Sequence, residues 1–267
     1  MTHLQAIVLG VVQGVTEFLP ISSSGHLVLL QKIWHISGDS LLFITFVHLG
    51  TLVAVVWAFR REVAWLIRHP WSWTTRMILL ALVPTAIVGA LFEELFENLF
   101  ASGVTLGIEF VVTGIILWWM DTVPSGEKTE QNMRPADALW VGTLQGMAIL
   151  PALSRSGLTM AAALWRGMDR DAAGRFSFLL SIPAILGATL VELEEVLEHP
   201  AGGTAIHWGP MISGTVAALV AGYASVKFTL WLLRNAQMKW FAWYVWILAE
   251  FVFIDQLFHH RWFPPLW

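Results

Sequence analysis

The 267-residue sequence contains no cysteine and only two tyrosines, and Asp, Glu, Lys and Arg together make up just 13% of it. Without cysteine there is no disulfide framework and no thiolate metal site, although in a membrane protein this says little about compartment. A soluble domain carries about 25% charged and about 45–50% apolar residues. Here the apolar fraction is 57% and the mean hydropathy +0.66, so a bilayer is the better-matched solvent. A formal net charge of −4 leaves no basic excess for nucleic acid, and that class of partner is excluded. The first residues lack a charged leader, and no small-residue cleavage pattern follows the first apolar run, so no removable signal peptide is expected. What the chain has in quantity is tryptophan, sixteen residues, which suits interfacial belts.

Two stretches stand out from this apolar background. Residues 10–26 read GVVQGVTEFLPISSSGH, and residues 142–159 read GTLQGMAILPALSRSGLT. A shift of about 132 residues carries Gly10 to Gly142, Gln13 to Gln145, Gly14 to Gly146, Ser22 to Ser154, Ser24 to Ser156 and Gly25 to Gly157. The Leu-Pro pair is out of step by one residue, a slip that a loop in a duplicated unit tolerates.

The apolar runs 4–18 and 25–36 are each shorter than the about 20 residues a spanning helix needs. They flank Pro20 and the serines as a re-entrant hairpin, and 137–149 with 157–166 repeat the pattern around Pro151. Long runs at 41–59, 77–96 and 103–120, then at 174–191, 211–233 and 240–258, predict three full spans after each hairpin. The expected fold is therefore an all-α polytopic membrane protein with six transmembrane helices and two re-entrant helix-turn-helix hairpins. Residues 1–120 form one repeat and 137–267 the other, joined by a polar linker at 121–136. An odd number of spans per half inverts the second repeat, so the two turns enter from opposite faces and meet in mid-membrane. Arg60, Arg61, Arg68, Arg76, Lys128, Arg134, Arg166, Arg170, Arg175, Arg234 and Lys239 all fall inside when both termini lie outside. Lys32 and Arg261 fall outside, and the outer loops then carry Glu93, Glu94, Glu97, Glu194, Glu195 and Glu198. The first hairpin opens to the outer face.

Gln13 and Glu17 are four apart and share a helix face. A carboxylate at this depth is costly and marks a functional site. Ser22, Ser23 and Ser24 before Gly25 have the composition of a helix N-cap, whose free N–H groups and positive dipole end suit an anion. With His26 and Glu17 they supply a hydroxyl, a base and an orienting carboxylate. His3 and His48 lack such company and are read as structural. Arg155, between Ser154 and Ser156, needs an anionic partner; its fork fits phosphate, and Glu17 is the alternative partner at rest. This inventory suits phosphoryl transfer, where positioning and charge neutralisation carry most of the catalysis. A Mg²⁺ or Ca²⁺ ion fits a site offering Glu17 and Gln13 beside substrate phosphates.

These residues resemble the undecaprenyl-diphosphate phosphatase family of the bacitracin-resistance type. The family's Glu/Gln-x-x-x-Glu is Gln13 to Glu17, and its Pro-Gly-x-Ser-Arg-Ser-x-x-Thr is PALSRSGLT at 151–159. HLGTLVAVV (48–56) and FSFLLSIPAILGA (176–188) extend the likeness over nearly the whole chain. The resemblance implies dephosphorylation of a C55 polyprenyl diphosphate in the bacterial plasma membrane, recycling the lipid carrier of cell-wall polymers, with a divalent cation required. Carried over by position, Ser23 is the nucleophile and His26 its acid/base partner, the reverse order of attack remaining open. Glu17 serves metal or water, and Arg155 clamps the diphosphate with Ser154, Ser156, Gly157 and Thr159. Ala152 departs from the motif's Gly and predicts a reshaped turn if that Gly needs a positive φ. Gln13 is the neutral option at a position that also accepts Glu, a weaker metal ligand.

Two other readings compete. A second lipid-phosphatase type fails on spacing, since Ala161 stands where its catalytic His belongs. An inverted-repeat transporter or flippase shares the architecture but has no need of Ser23 with His26. The tryptophan-rich exterior suits lipid contact and a homodimer seam equally.

Overall fold

The computed structural model describes residues 1–36, 40–198 and 208–266, and among these it is helical throughout, with a single isolated bridge, Lys128 to Met168, in place of any strand. The helices are α1 (His3–Phe18), α2 (Ser23–Ile33), α3 (Ser40–Ala58), α4 (Arg60–Arg68), α5 (Trp73–Ser102), α6 (Leu106–Thr122), α7 (Pro135–Met147), α8 (Arg155–Trp165), α9 (Arg170–Glu198), α10 (Trp208–Arg234) and α11 (Lys239–Ile254). The expected short pairs are α1–α2 and α7–α8.

Local chemistry sets their ends. Thr2 and Gln5 form a capping box at the start of α1. Pro20 forces Leu19 out of the helical region (φ −64°, ψ 138°) and ends it. Pro135 at the first turn of α7 and the Asp137 carboxylate on the Arg134 N–H start the second hairpin. Asp137 also receives Lys128 at 2.8 Å and Arg166 at 2.7 Å, fastening the linker to the hairpin.

By length and apolarity four helices can each cross a bilayer, Trp73–Phe92, Arg170–Glu194, Trp208–Arg234 and Lys239–His259, and α3 with α4 adds a fifth if a bent pair counts as one span. The chain is a polytopic membrane protein. The 103–120 run becomes α6, whose 17 residues reach only about 26 Å at 1.5 Å per residue. Two expectations about loops are corrected. Residues 60–68 are a helix turned 82° from α3, not a loop. The glutamates expected in outer loops stand on helices: α5 runs on to Ser102 past a break at Phe92 (φ −122°), and α9 to Glu198. Glu194 is exposed there, while the side chains of Glu93, Glu94, Glu97, Glu195 and Glu198 lie outside the described residues.

The halves interlock. α1 packs on α10 of the other half, and α7 packs on α5. The approach is backbone to backbone: a Cβ on Gly10 would lie 2.1 Å from Gly214 O, and one on Gly142 would lie 1.9 Å from Ala81 O. Gly14 against Ala218 and Gly222, and Gly146 against Pro84 and Val88, continue both seams one turn on. Small residues at such seams let helices associate where lipid supplies no hydrophobic drive.

Candidate active site

Both elbows are built by the same device. Ser22 caps α2 by accepting the Gly25 N–H at 3.3 Å, and Ser154 caps α8 by accepting the Gly157 N–H at 3.1 Å. They differ in backbone: Ser22 sits at φ 68°, a costly region for a residue with a Cβ, whereas Ser154 is extended at φ −76°.

The elbows touch. Ser22 Oγ donates to Pro151 O at 2.5 Å, and Ser156 Oγ reaches Leu19 O at 3.4 Å. A Cβ on Gly25 would stand 3.0 Å from Ala152 Cα and 2.9 Å from the Phe110 ring. Gly25→Ala is therefore expected to wedge the elbows apart, overpacking that costs about 1–3 kcal/mol. A lower melting temperature in detergent, together with slower turnover, would register it.

At the junction Glu17 is the hub, buried to 8% exposure. Its Oε1 pairs with the Arg155 guanidinium, and its Oε2 accepts from Ser23 Oγ at 2.5 Å and from Gln13 Nε2 at 3.0 Å. Arg155 also reaches Ser181 O at 3.4 Å. Thr159 Oγ1 bonds Ser177 Oγ at 2.6 Å, and Ser154 and Ser156 face each other at 3.3 Å. Glu17, Phe18, Arg155, Ser156, Thr159, Ser177, Phe178 and Ser181 line a narrow recess.

The structure thus brings together Gln13, Glu17, Ser22, Ser23, Gly25, Arg155, Ser154, Ser156, Gly157 and Thr159. Ser24 is half-buried and makes no side-chain hydrogen bond among the described residues. His26 is placed otherwise than expected. Its Nδ1 lies 2.5 Å from Ser22 O, its Nε2 lies 2.9 Å from the Tyr244 hydroxyl, and its ring stacks on Tyr244. Both ring nitrogens are engaged away from Ser23, whose hydroxyl is bound to Glu17. At the motif's departure, Ala152 has no positive φ, its N–H donates to Glu109 Oε2, and its carbonyl accepts from Thr113 Oγ1 at 2.8 Å.

Four residues outside the motifs complete the surroundings. Glu109 and Thr113 on α6 hold the second elbow from behind. His48 on α3 pairs with Glu192 on α9 at 3.2 Å, within electrostatic reach of Glu17 and Arg155. Glu109 interrupts the apolar run 103–120, and His48 opens the HLGTLVAVV stretch; each was visible, but neither had a neighbour in sequence to define its role.

Comparison with known proteins settles the family. The pattern of the Bacitracin resistance protein BacA family matches residues 6–251. The chain belongs to the BacA family. An undecaprenyl-diphosphatase of Carboxydothermus hydrogenoformans is similar at 50% identity over 256 residues, 96% of this chain and 98% of that protein. One from Halothermothrix orenii is 43% identical over 95% of this chain and 98% of its own length, and one from Alkaliphilus metalliredigens is 34% identical over 96% and 100%. The BacA match spans both elbows, so Glu17, Ser23, His26 and Arg155 all fall within it.

The BacA resemblance implies a divalent cation, and the residues present can be tested for it. Gln13 Oε1 is buried with no hydrogen-bond partner, next to a carboxylate. No group of three or more His, Asp or Glu side chains that could hold a metal occurs among the described residues. One carboxylate, one free amide oxygen and a hydroxyl fit an ion whose remaining ligands are substrate phosphates and water, the habit of Mg²⁺.

Proposed function

We infer that the protein hydrolyses undecaprenyl diphosphate to undecaprenyl phosphate and inorganic phosphate, the activity that names its relatives. The observation that carries this reading is the Ser23–Glu17–Arg155 chain, a hydroxyl, a carboxylate and a guanidinium bonded in series where the two elbows meet.

The pair at rest blocks its own chemistry. While Arg155 holds Oε1, the Glu17 carboxylate is charge-neutralised and a poor base. An arriving diphosphate competes for the guanidinium, whose fork matches two phosphate oxygens. Glu17 then regains basicity as the phosphorus comes within reach of Ser23. Ser23 Oγ attacks the terminal phosphorus, its proton passes to Glu17 Oε2 and on to the bridging oxygen as that P–O bond breaks, and the polyprenyl monophosphate leaves with Glu17 ionised again. Water then attacks the phosphoserine, Glu17 takes one of its protons and hands it to the departing serine oxygen, and the other stays on the phosphate that leaves. His26, held by Tyr244 and the Ser22 carbonyl, orients the start of α2. The N–H groups of α2 and α8 face the anion. Glu17 and Gln13 Oε1 would hold a Mg²⁺ or Ca²⁺ ion when it is bound, and the ion would neutralise phosphate charge.

The reciprocal packing of α1 on α10 and α7 on α5, with glycine seams about 132 residues apart, supports an inverted repeat of two units, 1–120 and 137–267. Six spans follow if α3 and α6 each cross. The basic loops then place both termini outside the bacterial plasma membrane and open the site outward. Membrane lipids and the polyprenyl diphosphate are its partners, and the exposed tryptophans leave room for a homodimer.

The test is phosphate release from undecaprenyl diphosphate by purified protein in detergent, where there are no two sides to transport between. Metal-dependent release is expected. None with Mg²⁺ or Ca²⁺ present would favour the transporter reading.

A further inference from the structure

A second polar cluster stands away from the elbows, where α3 breaks into α4. No glycine or proline marks the 82° bend, and none of α4's residues is fully buried, Val63 and Leu66 alone of its apolar side chains packing against the core. It exposes Arg60, Arg61 and Arg68 together with Trp65 (48%) and Ile67 (73%). Trp57 and Trp71 flank it, 62% and 74% exposed. A charged helix that also presents bare tryptophan and isoleucine belongs in the interfacial plane of a membrane.

Three groups meet at the bend. The Arg60 guanidinium lies 5.9 Å from the Trp57 ring centre and donates to Trp57 O at 3.3 Å. On α10 the Lys227 ammonium lies 4.5 Å from the Tyr223 ring centre. α3 runs alongside α10, a Cβ on Gly50 standing 3.2 Å from Ala218 Cβ and one on Gly222 3.1 Å from Ala54 Cβ, so the same register carries Arg60, six residues past Ala54, to the level of Lys227. Two nearby cations have carboxylates: Arg175 reaches Glu62 and Glu130, and Arg234 holds Asp171. Among the described residues Arg60 and Lys227 have no acidic partner. Two like charges and a hydroxyl therefore stand together with no ion-paired carboxylate among the described residues. Below the cluster the same face continues as Val53 (48% exposed) on α3 and Val220 (62%) on α10, an apolar strip running into the hydrocarbon.

We propose that Arg60, Lys227 and Tyr223 form a binding site for the phosphate headgroup of an anionic phospholipid, its acyl chains lying along Val53 and Val220. The site goes beyond the hydrolytic reading and shares no residue with it. The paired cations favour a net-negative headgroup over a zwitterionic one, whose own ammonium or choline would meet Arg60 or Lys227. The apolar strip favours a lipid over free phosphate.

The test titrates dioleoylphosphatidylglycerol or dioleoylphosphatidylcholine into the full-length protein in detergent, reading bound lipid by native mass spectrometry and the melting temperature. Phosphatidylglycerol is expected to bind and to raise the melting temperature, and phosphatidylcholine to do so far more weakly. Arg60→Gln and Lys227→Gln should each weaken phosphatidylglycerol binding about fivefold, since a basic residue near an anionic surface contributes about that much. Arg261→Gln, at the other end of the molecule, should not. Phosphate release in detergent should stay at the wild-type rate in all three, showing that each is folded. Equal binding of the two lipids, an equal loss in Arg261→Gln, or full competition by inorganic phosphate at matching concentration would each overturn the proposal.

Discussion

Arg155→Ala is expected to release phosphate at least about a hundredfold more slowly than the wild type, with a smaller change in apparent KM. Removing one preorganised charge from a water-poor site typically costs that much. Two effects combine here. The guanidinium no longer neutralises the equatorial phosphate oxygens, and Glu17 is left buried with no cation beside it. The second effect threatens folding, since breaking a buried pair costs about 3–5 kcal/mol. Arg155→Lys separates the two. Lysine keeps the charge next to Glu17 but lacks the planar fork, so this variant should fold normally and still lose about tenfold. A folded Arg155→Ala protein within threefold of the wild-type rate would remove the arginine from the mechanism.

The elbows were legible in the sequence because they are polar islands in an apolar chain. Gln13, Glu17, the serines and Arg155 had no reason to sit there except one another. The repeat then implied that they meet, and Ser22 on Pro151 is that meeting. Residues acting singly were not legible in this way. Glu109 is one carboxylate in an apolar helix, and what it binds, the Ala152 N–H, lies 43 residues further on. Tyr244 is 218 residues from His26; without that contact, His26 next to three serines reads as a serine's base. His48 and Glu192 face each other only because α3 packs on α9. Helix ends misled in the other direction. Charges at 60–68 and at 93–98 suggested loops, yet no proline or glycine stops the backbone there, and at an interface a helix can expose both arginine and tryptophan.

Glu17→Gln and Ser23→Ala are each expected to slow phosphate release by about a hundredfold or more, the usual loss for a general base or its nucleophile, and the double variant should be little worse than the poorer single. Non-additivity of this kind marks residues that act as one unit. The geometry requires it: the Ser23 hydroxyl donates to Glu17 Oε2, so without the hydroxyl the carboxylate has no proton to receive. Glutamine keeps the shape and can still accept from Arg155, so the elbow junction should survive the change. His26→Ala supplies the contrast. Its nitrogens bind the Ser22 carbonyl and Tyr244, so its loss loosens the start of α2 and should multiply with Ser23→Ala instead of merging with it. Tyr244→Phe, which breaks the same restraint from the far side, should reproduce part of the His26→Ala defect. If Ser23 and His26 proved to be the merging pair, and Ser23 and Glu17 the multiplying one, histidine would be the base in the working enzyme. The Glu17 contact would then belong to the resting state alone.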